Sequence, residues 1–78
     1  MLDQLKDMIC EYVEVGRDQI YENSRFMEDL GFTSFDFMSM IGEIEEKFDI
    51  EVDERKAADI RTVGEAIDYI KSLQDEAD

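Results

Sequence analysis

Ser34 is the residue of this chain best placed to do chemistry. It sits in the run Asp29-Leu30-Gly31-Phe32-Thr33-Ser34-Phe35, where a turn containing glycine meets a long segment of helical apolar spacing. Gly31 relaxes the backbone restriction at the turn. Thr33 suits an N-cap, and Asp36 stands three residues on, the spacing of a capping box. That register makes Ser34 the first helical residue. Its hydroxyl then projects where unpaired backbone N–H groups and the positive dipole end favour an attached or approaching anion. Local sequence alone leaves a plainer role open, that of a second capping residue, because Ser and Thr are common at helix starts.

The other reactive residue types offer less. Histidine is absent, which removes the commonest general base and a common metal ligand. Ser34 therefore has no base to serve it, and no catalytic residue is assigned. Cys10 is the only cysteine, so no internal disulfide can form. Lying between Ile9 and Glu11 on a helical stretch, with no His or cation beside it, it reads as a partly buried, inert thiol. Asp49-x-Glu51-x-Asp53 opens like a calcium loop. The positions that need Gly and Glu hold Glu54 and Ile60, however, so an EF-hand is excluded and no metal site is assigned.

The elements that must position Ser34 are helices. Leu2, Leu5, Ile9 and Tyr12 follow helical spacing, with Met8 and Val13 widening the stripe. This first helix is expected to stop near Val15-Gly16, with Gly16 at C′. Residues 17–33 show no sustained period and read as a long loop that Ile20, Phe26 and Leu30 pin to the core. A second helix is expected over Ser34–Phe48, with Phe37, Met40, Ile41, Ile44 and Phe48 inward. Phe35 and Met38 form an extra stripe that suits a second neighbour or a ligand. Ile50–Asp53 alternates like a strand but has nothing to pair with, so it reads as an extended connector. Glu54–Ile60 suits a short helix. Thr62 and Glu65 match a capping box for a last helix with Val63, Ala66, Ile67, Ile70 and Leu73 on one face. The tail 75–78 is expected to fray. The fold class is thus all-α: a small bundle of three main helices and one short one, with a long loop between the first two.

Composition narrows the class of function. Seventy-eight residues suit a single domain, 1–78, with one modest core. Twenty-two acids against eight bases give a formal charge of −14. That argues against nucleic acid and anionic membranes as partners and favours proteins with basic patches. Residues 36–54 carry eight acids against Lys47 alone. This is either a docking patch beside Ser34 or an ordinary solvated helix face. A hydrophobic share of 44% with clean periodicity argues for a folded chain rather than a disordered acidic one. No apolar run approaches the roughly 20 residues of a membrane span. The start Met-Leu-Asp-Gln lacks the basic region and apolar core of a signal peptide, so a cytoplasmic location is expected.

Three separated blocks carry a resemblance: Asp29 to Phe35; Ile44-Glu45-Glu46-Lys47-Phe48-Asp49-Ile50-Glu51-Val52; and Thr62-Val63 through Ala66-Ile67-Asp68-Tyr69-Ile70. In residues, order and segment lengths, nearly the whole chain resembles an acyl carrier protein. The resemblance implies that Ser34 holds a covalent 4′-phosphopantetheine arm, here in Thr33-Ser34-Phe35 where the family carries D-S-L. It also implies a carrier without catalytic apparatus, working as a monomer. Its partners would be a phosphopantetheinyl transferase and an acyl or aminoacyl ligase, a ketosynthase or other thioester-using enzymes. The partner-facing residues implied are Phe35, Asp36, Met38, Ser39, Gly42, Glu45 and Glu46. Similar proteins of fatty acid synthesis often carry Glu where Ser39 stands and a large apolar residue where Gly42 stands, which points to a dedicated carrier for a special pathway. Phe35 and Phe37 suggest an unusual pocket entrance. Fatty acyl, polyketide and aminoacyl or peptidyl cargo all fit the arm. A non-covalent acidic interaction module is the rival from another class.

Overall fold

The computed structural model describes residues 2–76. Four α-helices occur among them: α1 Leu2–Tyr12, α2 Ser34–Phe48, α3 Glu54–Ala57 and α4 Val63–Glu76, with a 3-10 turn at Arg17–Gln19. The only extended pairing among the described residues is an isolated antiparallel bridge between Arg25 and Thr62. The end of the tail expected to fray, Ala77 and Asp78, lies outside the described residues.

The apolar stripes meet in one core. Leu5, Met8 and Ile9 of α1, Phe37, Met40, Ile41 and Ile44 of α2, and Val63, Ala66, Ile67 and Ile70 of α4 are all buried. Leu2, Tyr12, Val13, Phe48 and Leu73 pack half-buried at its margin. Helix α1 ends sooner than the sequence suggests. The helical pattern stops at Tyr12, with the Val13 N–H donating to the Ile9 carbonyl at 3.1 Å. Gly16 is not a left-handed C′ residue but extended, at φ −70° and ψ 143°, and it precedes the 3-10 turn. Val13 and Val15, β-branched residues of modest helix propensity, follow the helix end, and both pack against the core. Arg17 then turns back to pair with Asp3 and Asp7 on α1.

The long loop is held as strongly as the helices. Ile20, Phe26, Leu30 and Phe32 are buried. The Phe26 ring stands 5.3 Å from Phe32, edge on, and 5.2 Å from Phe37 of α2; Tyr12 of α1 meets Phe32 at 5.9 Å. Backbone bonds tie the same loop to the start of α4. Phe26 N–H donates to the Arg61 carbonyl at 2.9 Å, Val63 N–H to that of Ser24 at 3.0 Å, and Gly64 N–H to that of Glu22 at 2.7 Å. A Cβ on Gly64 would lie 3.0 Å from the Glu22 oxygen, so a glycine permits this approach.

The second half of the chain follows its local signals with two differences. Residues 50–53 form the expected unpaired connector. Helix α3 is a single turn, shorter than the expected Glu54–Ile60, because the chain must leave it to bring Arg61 and Thr62 against the loop. Asp53 caps it by accepting from Arg55 N–H at 2.9 Å, while the Asp53 N–H donates to the Tyr69 hydroxyl of α4 at 3.0 Å. The capping box of α4 is present: Glu65 N–H donates to Thr62 Oγ1 and Thr62 N–H to Glu65 Oε1, both at 3.2 Å.

Candidate functional site

Two local devices place Ser34. Gly31 adopts φ 79°, a left-handed conformation that a side chain would strain. Thr33 then caps α2: its Oγ1 accepts from Asp36 N–H at 3.1 Å, and Asp36 Oδ2 accepts from Thr33 N–H at 3.3 Å. The box satisfies the third N–H of the helix. The first two, on Ser34 and Phe35, have no acceptor among the described residues. Ser34 is thus an exposed hydroxyl at the first helical position, beside free N–H donors. That arrangement suits a phosphodiester's negative charge.

Burial of Phe37, Met40, Ile41 and Ile44 fixes the rotation of α2 about its axis. Phe35, Met38, Gly42 and Glu46, spaced 3, 4 and 4, consequently form one exposed stripe that begins beside Ser34. Phe35 is 80% exposed, so its ring takes no part in the core. Ser39 and Glu45 are half-buried along the stripe's edge. Asp36, also half-buried, has its carboxylate engaged by the cap. Nothing lies within 4 Å of a Cβ built on Gly42, so no contact inside this chain requires glycine there. Glu43, Glu46 and Lys47 face Glu11 of α1 across a shallow groove, which concentrates negative charge on this side.

A cavity of about 230 Å³ opens next to Ser34, lined also by Met27, Phe37, Met38, Ala58 and Ile60. The expectation that Phe35 and Phe37 frame a pocket is half right. Phe37 lines the cavity, whereas Phe35 points to solvent because its position in α2 is on the outward stripe. Sequence reasoning missed Met27, Ala58 and Ile60. The only hint was an apolar Met27 in a polar loop. Just before the turn, Arg25 Nε and Nη2 donate to the two Asp29 carboxylate oxygens at 3.1 and 3.2 Å, and Arg25 N–H adds a third bond at 2.8 Å. These bonds hold the Asp29 carboxyl below the usual carboxylate range, the side-chain bond from Arg25 contributing most. Among the described residues there is no cluster of three or more His, Cys, Asp or Glu side chains that could hold a metal ion.

The chain matches the family described as "Phosphopantetheine attachment site" over residues 3–70. It is 40% identical over 73 residues to an acyl carrier protein of Sulfurovum sp. (strain NBC37-1), covering 94% of this chain and 97% of that one. An acyl carrier protein of Chlamydia caviae is 43% identical over 72 residues, 92% of this chain and 94% of its own length. Among solved structures, the acyl carrier protein of Enterococcus faecalis superposes with a TM-score of 0.81 at 30% identity, covering 92% of this chain and 91% of that chain.

Proposed function

We propose, from the premise that this chain belongs to the phosphopantetheine-attachment family of acyl carrier proteins, that Ser34 is the residue that holds the arm. An acyl carrier of this family bears its cargo as a thioester on a 4′-phosphopantetheine group. What supports Ser34 as the attachment point is its exposed hydroxyl at the start of α2, beside two unpaired N–H groups and at the mouth of a largely apolar cavity. In the loading step the Ser34 hydroxyl displaces the nucleotide part of coenzyme A at phosphorus. A phosphodiester forms, adenosine 3′,5′-bisphosphate leaves, and the hydroxyl proton is released. The helix start stabilises the new negative charge by roughly 0.3–1 kcal/mol.

The same reading extends to the chain as a whole. Residues 1–78 act as one monomeric carrier domain in the cytoplasm, without chemistry of their own. The stripe from Phe35 to Glu46 meets a phosphopantetheinyl transferase and then a ligase, ketosynthase or other thioester-using enzyme. Basic patches on those enzymes are drawn to the acids of α2. Ser39 and Gly42 favour a dedicated pathway over housekeeping fatty acid synthesis.

Intact mass after incubation with coenzyme A and a broad-specificity transferase tests the attachment. The wild type gains one phosphopantetheine and Ser34→Ala gains none. Ser24 is buried and accepts from Tyr21 N–H at 3.0 Å, so a mutant that is still modified would point to Ser39 or Ser72 and defeat the assignment.

A further inference from the structure

The cavity beside Ser34 continues past it. Met27, Ala58 and Ile60 also line a second cavity of about 330 Å³, whose remaining walls are Arg25, Glu28 and Arg61. The shared residues join the two into one groove, apolar near Ser34 and arginine-walled at its far end. The second part alone falls within the range of small-molecule sites, roughly 300–1,000 Å³. Its two arginines differ. Arg25 is engaged by its own loop, pairing with Glu28 and Asp29. Arg61 makes no ion pair among the described residues. Its backbone carbonyl, not its guanidinium, anchors Phe26.

Only Arg17 and Arg25 form ion pairs among the described residues, and of the two other arginines, Arg55 and Arg61, Arg61 alone lines one of these cavities. Over most of this surface an anionic group is repelled. At the Arg61 end of the groove it would instead meet a planar donor that binds carboxylates through two parallel hydrogen bonds. We propose that the cargo carried on the Ser34 arm is an acyl chain ending in a carboxylate. Arg61 receives that carboxylate, and Met27, Ala58 and Ile60 cover the methylenes between. The proposal rests on Ser34 carrying the arm. Tethering makes a weak site sufficient, because a group on a short flexible linker experiences an effective concentration on the order of mM.

The test loads the wild type, Arg61→Gln and Arg55→Gln from hexanoyl- and adipoyl-coenzyme A with a broad-specificity transferase. Each product is melted at low salt. Arg55 is exposed, lines neither cavity and controls for the loss of one positive charge. The quantity read is the melting point of the adipoyl form minus that of the hexanoyl form. This difference falls by about 2–6 °C in Arg61→Gln and is unchanged in Arg55→Gln. The Arg61 Nε–H resonance of the wild type shifts with adipoyl and not with hexanoyl cargo. Equal differences in all three loaded proteins, or equal losses in both variants, overturn the proposal alone. A wild type that takes no arm by mass overturns the Ser34 assignment and this proposal with it.

Discussion

The ring of Phe26 lies 5.2 Å from the ring of Phe37, with 60° between their planes. Phe26 belongs to the long loop, and Phe37 sits one turn into the helix that begins with Ser34. This pair therefore determines where the loop stands relative to the serine. Phe32 packs edge on against the same ring, so the residues flanking Gly31 are drawn into the core while Ser34 stays outside it.

Replacing Phe26 should unfasten the loop. Phe26→Ala is expected to cost about 3–5 kcal/mol, a large part of the roughly 5–15 kcal/mol available to a small domain. Phe26→Leu keeps an apolar side chain and should cost about 1–1.5 kcal/mol. Urea unfolding followed by circular dichroism measures both. An alanine variant as stable as the wild type would mean that the loop is not held by this ring.

The parts of the fold that were legible in the sequence are those with short-range causes. The Thr33–Asp36 and Thr62–Glu65 boxes need only a three-residue spacing, and both formed. The apolar stripes of α1, α2 and α4 show in the period alone, and so does the start of α2 that exposes Ser34. The misread features depend on partners far along the chain. Gly16 looked like a helix stop, yet the helix already ends at Tyr12, and Val13 and Val15 pack against the core before the chain reaches the extended Gly16. The groove residues Met27, Ala58 and Ile60 come together only because Phe26 bonds to Arg61 and Arg25 bridges to Thr62, contacts across more than thirty residues of sequence. The end of α2 at Phe48 was also legible, but not the left-handed backbone of Asp49 that caps it.

That ending gives a second prediction. Asp49 adopts φ 53° and ψ 52°, and its N–H and that of Ile50 both donate to the Glu45 carbonyl. A left-handed residue with a Cβ costs roughly 1–2 kcal/mol, somewhat less for Asp. Asp49→Gly removes that cost and one of the crowded acids. It should stabilise the fold by about 0.5–1 kcal/mol, raising the melting point by roughly 2–8 °C. Asp49→Val, which is β-branched, should lower it. If the glycine variant melts below the wild type, the strain assigned to this position is wrong.

The Asp29 carboxyl gives a prediction in pH. Its pKa in the folded chain lies below the unfolded value of about 3.9, chiefly through the bond from the Arg25 side chain. A group depressed in this way contributes stability that is complete above the unfolded value and lost as pH falls through the folded one. The pair is exposed, so the effect is small and weakened by salt. Asp29→Asn should therefore lie below the wild type near neutrality, with the gap closing as pH falls below about 4. Melting curves of both proteins across pH at low salt would show it, and a gap that stays constant down to about pH 2 would exclude the carboxylate as its source.

The exposed stripe of α2 gives a prediction about partner choice. Glu46 is exposed and Glu45 half-buried, so reversing both to Lys should act mainly through Glu46. Each lost attraction at an exposed rim is worth only about 0–1 kcal/mol. Loading by a cognate transferase or ligase should slow through its association step, and the loss should shrink as salt rises. Ser39→Glu with Gly42→Met tests the other half. The space around Gly42 is open, so methionine fits without displacing a neighbour. It should also raise helix stability by up to about 1 kcal/mol, so melting points must be measured beside activity. This double variant should improve use by a fatty acid synthesis ketosynthase, because it restores the charge and the apolar group that such partners meet on similar carriers. The comparison is an elongation assay with the wild type and both double variants. A wild type that already supports elongation as well as a housekeeping carrier would defeat the dedicated-pathway reading, and Ser39 and Gly42 would then be neutral variation.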